Sequence, residues 1–509
     1  MSYIPPQLPL SSLHLLTGIT NQALFENIKK GSRDSLRSLQ ERAAQGDIDA
    51  QNVLGDCYTT GIGVDKDLRE AIRLYRLAAD KNNAQALYKL GYCYQKGIGV
   101  DKDLREAVRF YRLAADNGCI EALFNLGRCY EKGIGVDKDL CEAIRFYRLA
   151  ADNGCAQALC SLGRCYETGI GVDKDLCEAV RCYRLAADDG HATALCNLGR
   201  CYQKGIGVAT DLREAVRFYY LAAEKGYVQA SFNLGCCYEK GIGVAQDLCE
   251  AVRCYRLAAD NGCAEALCNL GLCYEKGIGV AQDLCEAVKC YRLAADKGCA
   301  EALCNLGLCY EEGIGVDQNP HEAAKLYRLA ADNGCAQALC HLGSLHGRGI
   351  LGTHNYDEAF KLFYLAADNG CVQAHTHLVI CYVNGLGTKQ DYDKAEELCK
   401  TDIKLGSEIA KNMLQRIVFF KSMHPIPDAA MLESCQHQCG ICLNGNADND
   451  PLMVLHKVEI QSASSGTTIL FHIFHRDCIL TWLHRNNTCP ICRNVLSESE
   501  KKLYFNGKD

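Results

Sequence analysis

The sequence predicts an all-α fold, a solenoid of paired helices, followed by a small metal-binding module near the C-terminus. Three observations predict it. A 36-residue period runs unbroken from Ile48 to Ser407, which is ten copies. Within each copy, apolar residues recur at helical spacing in two stretches separated by a glycine-rich break. After the linker Pro425-Ile426-Pro427 the pattern changes, and cysteines and histidines appear at metal-ligand spacing.

Composition fits this reading and excludes others. A chain of 509 residues is too long for one ordinary core, and 48% hydrophobic with 23% charged residues is typical of a folded protein. A net charge of −7 and a pI near 6.1 give no global attraction to nucleic acid or to an anionic membrane. No apolar run approaches the roughly 18 residues a spanning helix needs. The start, Met1-Ser2-Tyr3-Ile4-Pro5-Pro6, lacks the basic and apolar regions of a signal peptide. The expectation is a cytoplasmic or nucleoplasmic protein with no nucleic-acid and no membrane partner.

The chain divides in order. Residues 1–34 read as an N-terminal extension, 35–47 as a half-repeat cap, and 48–407 as the ten repeats. Residues 408–434 read as a capping helix and linker, 435–497 as the zinc module, and 498–509 as a tail. In the second copy the first helix spans about Ala84 to Gln95, with Ala86, Leu87, Leu90, Gly91, Cys93 and Tyr94 apolar along one side. Gly97-Ile98-Gly99-Val100 breaks it. Asp103 and Glu106 form a D-x-x-E cap for a second helix that buries Leu104, Ala107, Val108, Tyr111, Leu113 and Ala114 and ends by Gly118. The Gly-x-Gly segment follows a helix and not a strand, so it is a turn and not a dinucleotide loop. In the tenth copy Cys399-Lys400-Thr401-Asp402-Ile403 replaces the usual Tyr-x-x-Ala-Ala.

Of 35 cysteines, 29 fall inside the repeats, mostly at recurring positions, and six lie in the last 75 residues. One per repeat at a fixed place, as with Cys57, Cys93 and Cys129, reads as a small buried hydrophobe. Couples such as Cys155/Cys160 and Cys299/Cys304 are near enough in sequence to pair if oxidised.

A stripe on the first helices, away from the apolar side, offers a partner surface. It carries Asn125, Arg128, Arg164, Asn197, Arg200, Asn233, Asn269, Leu272, Asn305 and Leu308. Asparagine amides can pair an extended peptide, and arginines can hold carboxylates. The drift from arginine to leucine suits an amphipathic ligand; the alternative is an ordinary solvated helix face.

The recurring A-x-x-x-L-G-x-x-Y…G-x-G-V…D…A…Y…A-A…G pattern resembles the Sel1-like repeat family, over about 70% of the chain. The resemblance implies a right-handed α/α superhelix of TPR-like units that serves as an adaptor surface for a protein substrate.

The last segment carries Cys439-Gly440-Ile441-Cys442, then His472-Ile473-Phe474-His475-Arg476-Asp477-Cys478, then Cys489-Pro490-Ile491-Cys492-Arg493. Two C-x-x-C knuckles around H-x-x-H-x-x-C supply sulfur and imidazole ligands for Zn2+. With Trp482 and Pro490 at their places, the segment resembles the RING-H2 finger of ubiquitin ligases. That resemblance implies a first zinc on Cys439, Cys442, His475 and Cys478, and a second on His472, Cys489 and Cys492. It departs at Leu470, where the family has a cysteine; His456 and Cys435 are the nearest replacements, and water or an absent second zinc are the other outcomes. A three-ligand zinc also looks hydrolytic, but no general base is evident beside it. The resemblance further implies an E2~ubiquitin partner gripped by Ile441, Trp482 and Pro490, with Arg493 as the linchpin that bonds both E2 and ubiquitin. The function expected is that of a RING-type E3 ubiquitin transferase; a scaffold with a degenerate RING is the alternative.

Overall fold

The computed structural model describes residues 19–404, 406–422, 452–462 and 466–475. Among them are 23 helices in succession, then one two-stranded sheet. The chain separates into two compact units. One comprises Met1–Ala266 with Gly277–Ala281, and the other Leu267–Lys276 with Gln282–Asp509.

Each repeat is built by the same local rules. In the second copy the first helix is Ala84–Lys96, capped where the Asn83 side chain accepts from the Ala86 N–H. It stops at Gly97, whose φ of +74° is left-handed and free of the steric cost a Cβ would bring. The second helix is Leu104–Asp116, and Asp103 accepts from the N–H groups of both Arg105 and Glu106. The capping pattern read from sequence is therefore the geometry that starts it.

Burial follows the predicted stripes with three corrections, the first being Leu104, which is only half-buried at the start of its helix. Ala86, Leu87, Leu90, Gly91 and Cys93 are buried, as are Ala107, Val108, Tyr111 and Ala114. Tyr94 is only half-buried, because its ring stacks on Phe110 at the edge of the helix pair. Leu113 is 37% exposed, and Leu149, Leu185 and Leu329 at the same repeat position are also exposed. This leucine lies one step beyond the stripe that faces the first helix.

The helix pair is drawn together by a glycine under a tyrosine. A Cβ on Gly91 would lie 2.7 Å from the Tyr111 ring, and the same contact recurs from Gly55–Tyr75 to Gly343–Phe363 at 2.5–2.8 Å. In the tenth repeat the two positions hold Val379 and Cys399, both buried. The larger residue has moved to the other helix, which explains how that copy keeps its second helix, Tyr392–Lys404, without the tyrosine.

The ends differ from expectation at one side. The half-repeat helix is Arg33–Ala44, starting two residues earlier than read, and the extension contains a further helix, Asn21–Lys29. Leu24 and Ile28 of that helix join Leu39, Ala43 and Leu54 in one core cluster. The other end has the expected closing helix, Glu408–Ser422. The fixed-position cysteines are buried free thiols; burial pushes Cys129 up to about 11, so these are packing groups.

Candidate functional site

The stripe on the first helices is engaged within the array. Asn125 donates to the Tyr88 hydroxyl of the preceding repeat at 3.2 Å. Asn197, Asn233 and Asn305 donate to the sulfurs of Cys160, Cys196 and Cys268, each 37 residues earlier. Asn269 is half-buried.

The arginines are engaged more strongly. Arg164 pairs with Glu131 at 2.6 Å, and Arg200 makes two 2.6 Å bonds to Glu167. Each carboxylate also accepts from the tyrosine under its own repeat's glycine, Tyr147 to Glu131 at 2.7 Å and Tyr183 to Glu167 at 3.0 Å. Glu311 repeats the arrangement with Arg348 and Tyr327, both at 2.8 Å. The Arg200 hydrogen bonds hold the Glu167 carboxyl below the usual glutamate range, burial opposing them. These Tyr–Glu–Arg chains link one repeat to the next. They could not be anticipated from the stripe alone, because the acid lies in the preceding copy.

Arg128 is different. The preceding repeat offers Gln95 where the others offer glutamate, and Gln95 is taken by Tyr111. Arg128 is exposed, lies over the Phe124 ring at 5.9 Å, and has no carboxylate partner among the described residues. Leu272 and Leu308 are half-buried.

Of the zinc-module residues, His456, His472 and His475 lie in described segments. Cys435, Cys439, Ile441, Cys442, Cys478, Trp482, Cys489, Pro490, Cys492 and Arg493 lie outside the described residues. The two strands, β1 (Leu452–Ser462) and β2 (Gly466–His475), pair antiparallel. Position 472 and position 475 are an odd number of residues apart on β2, so they belong to opposite faces. The register breaks between Val454, opposite Ile473, and Lys457, opposite Phe471. Leu455 and His456 therefore both stand opposite the single residue His472, which is a β-bulge. Leu470 shares the face of His472 by alternation. The hairpin thus sets positions 455 and 456 across from position 472, and a Cys/His donor set of this kind suits Zn2+. Among the described residues no three His, Cys, Asp or Glu side chains form a metal site.

The fold defines a helical-repeat protein with a C-terminal Cys/His module. More narrowly, the chain belongs to the Sel1 repeat family: the Sel1 repeat model matches nine successive 36-residue segments from 48–83 to 336–371, then 377–401. The ring finger domain model matches 460–493, a span that begins after the first knuckle. A crystal structure of c5321, a protective antigen present in uropathogenic Escherichia coli strains displaying an SLR fold, superposes with a TM-score of 0.60 at 27% identity. That likeness covers 87% of this chain and all of the other. RING-H2 finger protein ATL32 of Arabidopsis thaliana is 37% identical over 65 residues, 13% of this chain and 16% of that protein. E3 ubiquitin-protein ligase ATL31 of the same plant is 38% identical over 61 residues, 12% of this chain and 13% of its own length. The chain thus spans only a small part of these relatives. No helix among the described residues is long and apolar enough to cross a membrane.

Proposed function

We propose that the protein is a RING-type E3 ubiquitin transferase of the cytoplasm or nucleus. In this reading the repeats hold a protein substrate or adaptor, and the C-terminal module recruits E2~ubiquitin. The observation that carries the reading is the ring-finger match at 460–493 together with similarity to a plant E3 ubiquitin-protein ligase. Within that segment stand Trp482, Pro490 and Arg493, and Ile441 stands in the preceding knuckle.

The mechanism is non-covalent. Ile441, Trp482 and Pro490 form a shallow apolar grip for the E2. Arg493 donates from its planar guanidinium to E2 and ubiquitin together, holding the thioester where a lysine can attack it. Bound zinc would supply the rigidity of the knuckles, with Cys439, Cys442, His475 and Cys478 as one ligand set. His472, Cys489 and Cys492 form the other, and the bulge in β1 favours His456 over Cys435 as its fourth member. Tethering substrate and E2 on one chain raises the local concentration of target lysines.

Partner binding by the repeats falls to the stripe residues that neighbouring repeats leave available. In the first unit that is Arg128; in the second, Leu272 and Leu308 offer apolar contacts. The other stripe residues shape this surface while joining the repeats.

Leu470 favours a second reading, a scaffold whose degenerate RING only docks. Full-length protein incubated with a panel of ubiquitin-loaded E2 enzymes and free lysine separates the two. Faster discharge that is lost in both Ile441→Ala and Arg493→Ala supports the ligase. A folded, zinc-loaded chain that speeds no E2 leaves the scaffold.

A further inference from the structure

The fifth residue of each first helix lies beside the residue that caps the next repeat's first helix. Tyr88 shares a core cluster with Cys119, and Phe232 shares one with Cys263. The same two positions hold Phe124 with Cys155, Cys160 with His191, and Cys196 with Tyr227. In all five couples a ring stands on one side and a thiol on the other, so their volumes compensate.

Repeats seven, eight and nine break that rule. Both positions are cysteine, giving Cys268 with Cys299, Cys304 with Cys335, and Cys340 with Cys371. Cys304 and Cys335 pack in one core cluster and Cys340 and Cys371 in another, and in all three couples the two thiols interact. The first member is buried and the second half-exposed. The partner of Cys299 is therefore Cys268, and not the Cys304 that sequence proximity suggested.

The half-exposed members sit at helix starts. Cys299, Cys335 and Cys371 are the N-caps of Ala300–Glu312, Ala336–Gly347 and Val372–Asn384. None of the three cap sulfurs accepts a hydrogen bond from the backbone N–H groups of its helix. A sulfur at a helix N-terminus still meets the positive end of the helix dipole, which favours its thiolate, the reactive form.

We propose that these three couples are peroxide-responsive dithiol sites, each closing to a disulfide that staples two successive first helices. The cap thiolate attacks one oxygen of hydrogen peroxide, the O–O bond breaks, and a sulfenic acid forms with release of hydroxide. The buried partner then gives up its proton and attacks the sulfenic sulfur, the S–S bond forms, and the sulfenic oxygen leaves as water. Two thiols and one peroxide become one disulfide and two waters. The neighbouring partner thiol holds the cap sulfurs of the first two couples below the usual thiol range, burial opposing it. Their buried partners are pushed upward. One sulfur is thus set to attack and the other to resolve.

The array contains its own control. Cys155 is also a half-exposed N-cap, of Ala156–Thr168, but Phe124 stands where the resolving cysteine would be. The test treats the full-length, zinc-loaded chain with limiting hydrogen peroxide, blocks free thiols, and maps cross-linked peptides by mass spectrometry without reduction. The expected result is 268–299, 304–335 and 340–371 disulfides appearing at least tenfold faster than any oxidation of Cys155, and reversed by reductant. Cys299→Ser should remove the first cross-link and leave the other two. Oxidation of these caps at the rate of Cys155, or sulfenic acid that never resolves to these pairs, overturns the proposal. The result does not depend on ligase activity.

Discussion

The face of Gly127 lies against the ring of Tyr147 so closely that a Cβ there would be 2.5 Å from two ring carbons. Gly127→Val should destabilise the third repeat by about 1–3 kcal/mol, because the ring has no room to retreat. Adding Tyr147→Cys should recover much of the loss, since Val379 and Cys399 already pack this way in the tenth repeat. Denaturant unfolding of the two variants beside wild type checks this. Equal stability of single and double variants would show that the two positions do not share volume.

Arg200 and Glu167 give a pH signature. The Glu167 carboxyl is depressed in the folded state by the guanidinium hydrogen bonds, with burial opposing. Its contribution is therefore present above the ordinary glutamate value of about 4.3 and is lost as pH falls through the lower folded value. Arg200→Met should cost about 1–2 kcal/mol near neutral pH and flatten that acid-side loss. Thermal melts from pH 3 to pH 7, on wild type and variant, read both effects.

His456 is expected to complete the second zinc site. His456→Ala should lose one of the two expected zinc ions per chain, and His456→Cys should keep both. Placing Leu470→Cys on the alanine variant should restore the lost ion. Metal analysis of the purified full-length proteins decides it; an unchanged zinc content in His456→Ala would pass the role to Cys435 or to water.

Chelation should separate the two parts of the protein. Zinc ligation contributes about 10–16 kcal/mol to the folding of small zinc domains, whereas no metal cluster occurs among the described repeat residues. A strong chelator should therefore abolish ubiquitin discharge while leaving the helical circular-dichroism melt unchanged.

Much of this was legible in the residues. The 36-residue period, the Asp103 cap and the Gly97 stop set the helices of the second repeat almost to the residue. Local caps and a 3.6-residue period act over one or two turns, so the sequence carries them openly. The Cys/His spacing likewise pointed to the ring-finger family that the comparison matches at 460–493. The short helix Asn21–Lys29 was missed because it lacks the repeat pattern that made the others visible.

What the sequence determined by itself was the repeat unit and its two helices. What only the tertiary structure decided was which side chain answers which. Arg200 finds Glu167 at 33 residues' separation, Asn305 finds Cys268 at 37, and the bulge sets His456 opposite His472. Near-identical copies offer near-identical candidates, and only the stacking of one helix on the next, with the register of one strand against another, selects among them.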